Sequence, residues 1–178
     1  YLCAKLNTDI SDIDFALDDF IQKNNSDLIG KFINIGSRTQ NFLVKLNNSE
    51  IAVGNIKKSE SFKLKYQEII NLVDKKEYSK ALKNIMAIAD KINAYVSNQE
   101  PWSKAKNGDE VKCVEICSEA LNVFKDLTIL LQPFIPSIAE KIFELLNTKT
   151  LNYDDLSKDN LNKIQKFEPF ITRLEKND

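Results

Sequence analysis

Apolar residues recur along most of this chain at helical intervals. Between Asp12 and about Asn47, Leu28, Phe32, Ile35, Gly36, Leu43 and Leu46 form one apolar stripe, which predicts a long helix. The stretch S-D-I-D, Ser11 to Asp14, offers capping side chains and negative charge at its start. Asn47-Asn48-Ser49 breaks the pattern, and the polar segment Glu50 to Lys58, with Gly54, reads as a loop. A second helix is predicted from about Ser59 to Lys75, with Phe62, Tyr66, Ile69, Ile70 and Val73 inward. A third begins near Glu77 and keeps its period from Tyr78 through Ala81, Ile85, Ile88 and Ile92 to Val96, until Pro101 ends it. After a short loop with Asn107-Gly108, the most apolar element runs from about Glu110 to Leu131. Pro133 and Pro136 punctuate the chain, and Pro136 suits the first turn of a fifth helix over Ser137 to Leu146. The remainder, Leu151 to Asp178 with Pro169 inside it, is mixed and predicts short helices packed back on the rest. No strand alternation persists. The pattern therefore predicts an all-α bundle of about five main helices joined by short loops.

Composition narrows the chemistry. The 178 residues suffice for one domain with a substantial core. Charged residues make up 29% but nearly cancel, to a net charge of -1, so binding driven by bulk positive charge is not expected. No apolar run approaches a membrane span. Histidine is absent, which excludes a Ser-His or Cys-His nucleophile pair and any histidine-containing metal site. The three cysteines, Cys3, Cys113 and Cys117, form no disulfide framework and suit a reducing compartment. Cys113 and Cys117 are spaced to share a helix face, but no second ligand pair accompanies them, so free thiols are expected. The chain opens at Tyr1 inside a helix-like stretch, Y-L-C-A-K-L, as a piece of a longer protein would.

Two polar features stand out against this frame. Lys31, Asn34, Arg38, Asn41 and Lys45 follow one another at steps of three and four and line one stripe of the first helix. Arginine offers a planar donor fork, and asparagine offers both donor and acceptor, a combination suited to base edges and phosphate alike. Every amphipathic helix also has a polar face, so a solvated stripe is the competing reading. The second feature is N-Q-E-P-W-S-K-A-K, Asn98 to Lys106, which holds the only tryptophan, Trp102. A tryptophan held by a preceding proline can be a plate for an unpaired base, or a lid over helix ends. Carboxylate pairs occur at Asp12 and Asp14, Asp18-Asp19 and Asp154-Asp155, at helix starts or on polar faces, where capping explains them without catalysis. The four glycines are scattered and make no phosphate loop.

Four stretches in order resemble the C-terminal anticodon-binding domain of bacterial methionyl-tRNA synthetases, class I aminoacyl-tRNA synthetases, over nearly the whole chain. The opening Y-L-C-A-K-L-N-T-D-I-S-D-I-D-F is similar to the family's Y-x-x-A-K-L segment and the acidic run after it. K-F-I-N-I-G-S-R carries the family's N-x-x-S-R. I-M-A-I-A-D-K-I-N-A-Y-V-S-N-Q-E-P-W is similar to its I-M-x-x-A-D-x-x-N-x-Y helix and P-W exit, and L-Q-P-F-I-P to its L-x-P-x-x-P. The family's histidine near the end is replaced by Asn162-Lys163-Ile164 and Glu168-Pro169-Phe170.

The resemblance implies residues 1–11 as a remnant of the segment joining the catalytic half and 12–178 as the anticodon-binding helical domain. It implies a cytoplasmic protein whose partners are the CAU anticodon loop of methionine tRNA and its own catalytic domain, and neither DNA nor a membrane. Carried over residue by residue, it assigns base contacts to Asn34 and Arg38, stacking on the first anticodon base to Trp102, and the setting of the local chain to Pro101. It places no catalytic residue, cofactor or metal in this chain. The class I signatures H-I-G-H and K-M-S-K-S are absent, and ATP, with the family's zinc, belongs to the catalytic half, which charges tRNA with methionine. The rival readings are the related domains of isoleucine, valine, leucine or cysteine synthetases, and a helical protein-interaction module with Trp102 as its anchor.

Overall fold

The computed structural model describes residues 1–5, 14–52, 60–168 and 170–176, and for residues 60–63 the backbone alone. Helices are α1 Leu17–Lys23, α2 Asn34–Leu46, α3 Glu60–Asp74, α4 Tyr78–Gln99, α5 Pro101–Lys106, α6 Glu110–Leu131 and α7 Pro136–Leu145. A π-helical segment, Asn24–Ile33, joins α1 to α2, and single 3₁₀ turns occupy Leu2–Ala4 and Tyr153–Asp155. Among the described residues there is no strand. One antiparallel bridge pairs Glu50 with Lys163. The all-α expectation holds, and its five main helices are present.

The centre of the bundle is α6. Seventeen of its 22 residues are buried, so from Ile116 onward it has no solvent face and α2, α4, α5 and α7 pack around it. Asp109 caps its start, accepting from the Lys112 amide at 3.3 Å. The stripe predicted for the first helix is seen in Phe32, Ile35, Gly36 and Leu43, all buried. Phe32 meets Phe124 of α6 at a ring-centroid distance of 4.8 Å. Gly36 allows the close approach that follows. A Cβ there would stand 2.8 Å from Phe167 Cε2 and 2.9 Å from Phe124 Cε1. Tyr95 of α4 donates to Glu119 Oε2 of α6 at 2.5 Å, and burial, ahead of Glu119, raises its phenol above the ordinary tyrosine value.

The first helix departs from expectation. It starts at Leu17, after the non-helical residues 14–16, and its N-cap Ala16 has no side chain to offer the first amides. Asp14 therefore does not cap it, and Ser11 to Ile13 lie outside the described residues, as do residues 6–11 of the opening segment, Gly54 and Pro169. Phe62 is described only by its backbone, in α3. The π winding over Asn24–Ile33 is long for a form that usually occurs as a single turn.

The expected loop after Pro101 is helical instead. Glu100 takes a left-handed conformation, φ 47° and ψ 59°, and ends α4. Pro101 then opens α5 at the position where a missing amide costs nothing. The tail also differs from the short helices expected of it. After the turn at Tyr153–Asp155 it runs as an irregular strap, because side chains of the other elements bind its backbone directly. Asn25 exchanges two 2.9 Å hydrogen bonds with the Leu174 amide and carbonyl. Lys125 and Asp126, adjacent on α6 and fully buried, form a 3.1 Å ion pair. The Lys125 ammonium donates to the carbonyls of Asp155 and Lys158 and to Asn160 Oδ1. The Asp126 carboxylate accepts the Ser157 amide at 3.2 Å on both oxygens. A buried charge is tolerable when paired and fully hydrogen-bonded, and here the tail supplies the bonds.

Candidate nucleic-acid interface

The polar stripe of the first helix does not face open solvent along its length. Its N-terminal half meets α4 in parallel register. Lys31 pairs with Asp90 at 3.1 Å, Asn34 Nδ2 donates to Asn93 Oδ1 at 3.3 Å, and the Arg38 fork donates to Ser97 Oγ at 3.3 and 3.4 Å. Each pair is 59 residues apart in sequence, so steps of three and four on one helix answer steps of three and four on the other. Lys31 also reaches Asp27 at 3.3 Å, and the hydrogen bond to Asp90 holds its ammonium above the ordinary lysine value. Of the remaining stripe residues, Asn41 accepts from Gln40 Nε2 at 2.8 Å instead of extending the ladder to α4.

The ladder leads to the tryptophan. The Arg38 guanidinium carbon lies 5.4 Å from the Trp102 ring centroid, inside the range of cation–π attraction. Trp102 is nevertheless 41% exposed, whereas Pro101 beside it is buried. The buried proline and the left-handed Glu100 fix the backbone on which the ring stands. The structure thus sets Arg38, Pro101 and Trp102 at one end of the α2–α4 seam, with the Asn34–Asn93 pair next along it.

Two residues of this seam, Asn93 and Ser97, were not singled out from sequence. Asn93 stands in the N-x-Y of the third helix pattern, and its position three and four residues from Asp90 and Ser97 was the available signal. A groove of about 450 Å³ also borders Asn34, between Gly30, Ile33 and Ser37 on one side and Phe170 and Arg173 of the tail on the other. Nothing in the periodicity of the tail pointed to it.

Of the carboxylates in these pairs, Asp18, Asp19 and Asp155 have structural partners. Asp19 accepts from the Tyr1 hydroxyl at 2.9 Å and pairs with Lys5 at 3.1 Å, and these bonds hold its carboxyl below the ordinary aspartate range. Asp18 pairs with Lys176 at 3.1 Å, and Asp155 accepts the Asn152 amide in a capping box. Asp12 lies outside the described residues. Among the described residues no three metal-ligating side chains cluster, and no helix is long and apolar enough to cross a membrane.

The bundle has a fold found in solved aminoacyl-tRNA synthetases. It superposes on part of the Mycobacterium tuberculosis methionyl-tRNA synthetase in its free state with a TM-score of 0.77, at 17% identity, covering 90% of this chain and 35% of that one. The same enzyme in complex with methionyl-adenylate gives 0.71 at 18% identity, covering 87% and 33%. At this identity the likeness concerns fold. Sequence is more specific: residues 49–173 match the family described as the anticodon binding domain of methionyl tRNA ligase, and the chain belongs to that family. Curated methionine–tRNA ligases are similar over nearly its full length. That of Thiobacillus denitrificans is 42% identical over 158 residues, 87% of this chain and 23% of its own. That of Francisella tularensis is 38% identical over 181 residues, 99% of this chain and 27% of its own. The chain spans about a quarter of the length of these relatives.

Proposed function

We propose that this chain reads the CAU anticodon loop of methionine tRNA by shape and hydrogen bonding, without chemistry of its own. Trp102 stacks on the first anticodon base, with Pro101 setting the ring's position, while Asn34 and Arg38 bond the polar edges of splayed bases. Single-stranded RNA is read in this way, from unstacked bases on aromatic plates. The observation that carries the reading is the pairing of an exposed Trp102 with Arg38 at 5.4 Å, on a backbone fixed by a buried proline. A ring stabilised from below by a cation and left open to solvent is prepared for a flat partner.

The near-neutral charge suits selectivity carried by a few placed groups, since hydrogen-bonding sites reject ligands that leave buried polar groups unpaired. In the ligase of which such a domain is part, a catalytic half charges the bound tRNA with methionine using ATP, in the cytoplasm. The family's zinc is assigned to that half.

The test is Trp102 fluorescence during titration with a CAU stem-loop and with a loop altered in the first anticodon base. Because there is one tryptophan, the signal has one source. Quenching by the CAU loop alone supports the reading. Equal quenching by both removes the specificity, and no response to either at low salt and millimolar RNA removes the reading itself.

A further inference from the structure

Asn93 has no part in the reading above, yet its bonds are unusually constrained. Its Nδ2 donates at 2.9 Å to the Lys31 carbonyl and at 2.9 Å to the Ala89 carbonyl. Backbone carbonyls only accept, so both Asn93 N–H groups are committed and its amide cannot turn over. Oδ1 is therefore the atom that faces Asn34, and it can only accept. Asn34 must answer with an N–H, and it does, through Nδ2 at 3.3 Å. Among the described residues no group donates to Asn34 Oδ1. Asn34 is thus left with one N–H and one carbonyl oxygen in an order it did not choose.

We infer that Asn93 is a positioning residue that fixes the donor–acceptor order of the Asn34 amide, and through it the choice between amino and keto base edges. The inference rests on the anticodon reading proposed above. A pyrimidine edge presents an amino donor beside a ring-nitrogen acceptor in cytosine, and a keto acceptor beside a ring N–H donor in uracil. An asparagine amide complements either, one by each of its two orientations. An amide free to turn by 180° would serve both bases, whereas a locked amide serves one and leaves the other with facing donors or facing acceptors. Discrimination then depends on a residue that need not touch the RNA. The lock lies at the junction of the π segment and α2, where the Lys31 carbonyl is within reach of α4, so the π winding takes part in setting it.

The chain and its Asn93→Ala and Asn93→Asp variants are titrated with two stem-loops that differ only in cytosine or uracil at the first anticodon position. The wild-type chain prefers one of the two. In Asn93→Ala the Asn34 amide is released and the preference falls by roughly fivefold or more, mainly because the rejected loop gains affinity. A merely structural role would weaken both loops together. Asn93→Asp sets a carboxylate oxygen against the Lys31 and Ala89 carbonyls, acceptor against acceptor, so the side chain leaves its seat and the preference falls as in Asn93→Ala. Circular dichroism of each variant confirms the fold. An unchanged preference in either folded variant, or a parallel loss for both loops, overturns the inference and leaves the anticodon reading standing. Absence of wild-type binding to either loop overturns that reading, and the inference with it.

Discussion

The Arg38 guanidinium stands 5.4 Å from the Trp102 ring centroid while donating to Ser97 Oγ at 3.3 and 3.4 Å. One side chain thus links α2 to the distant α4 and to α5, which follows α4 directly. The planar fork can stack on the ring and hydrogen-bond at its edge together, which an ammonium cannot do. It also keeps positive charge beside the ring, where an RNA ligand would enter.

Trp102→Ala should weaken binding of a CAU stem-loop by about 1–3 kcal/mol, roughly 5- to 150-fold, the usual worth of one base–aromatic stack. Because the ring is 41% exposed, the melting temperature should move little. Titration by calorimetry beside a thermal melt separates the two effects. A large drop in melting temperature would instead mark Trp102 as a structural lid.

Gly36→Ala should destabilise the fold although alanine is the better helix former by about 1 kcal/mol. The added methyl would lie 2.8 and 2.9 Å from the Phe167 and Phe124 rings, and overpacking of this kind costs about 1–3 kcal/mol. Urea unfolding should show a net loss. Pairing the change with Phe167→Leu should recover part of it, since Phe167 is the ring the tail can withdraw.

Lys125→Met should be among the most damaging single changes. It leaves the Asp126 carboxylate buried without its cation, a loss of about 3–5 kcal/mol for a broken buried pair. It also removes the donor to the Asp155 and Lys158 carbonyls and to Asn160 Oδ1. Hydrogen exchange should therefore rise first at the Ser157 amide and its neighbours, ahead of global unfolding.

Native thiol labelling should separate the cysteines. Cys3 is partly exposed, whereas Cys113 and Cys117 are buried. Burial pushes both of these thiols above the ordinary cysteine value, so little thiolate forms at neutral pH. A disulfide-exchange reagent should modify one thiol rapidly and the other two only on unfolding, as mass spectrometry would show.

The hydrophobic period determined the helices, because it is a local property of each segment. Leu121, Phe124 and Leu127 already marked α6 as the most buried element, and Pro101 and Pro136 marked helix boundaries through their missing amides. Asn34, Arg38 and Trp102 were legible as a stripe and a plate, and motif resemblance joined them. Which polar face meets which was not legible. Asn93 and Ser97 became partners of Asn34 and Arg38 only when α2 and α4 packed in parallel register. The π winding over Asn24–Ile33, the left-handed Glu100 and the path of the tail likewise depend on contacts distant in sequence, such as Asn25 with Leu174 and Lys125 with Lys158. A side chain's period tells which way it points. What it meets there, and hence which of its atoms remain free for a ligand, is decided by the packing of elements that the local pattern does not encode.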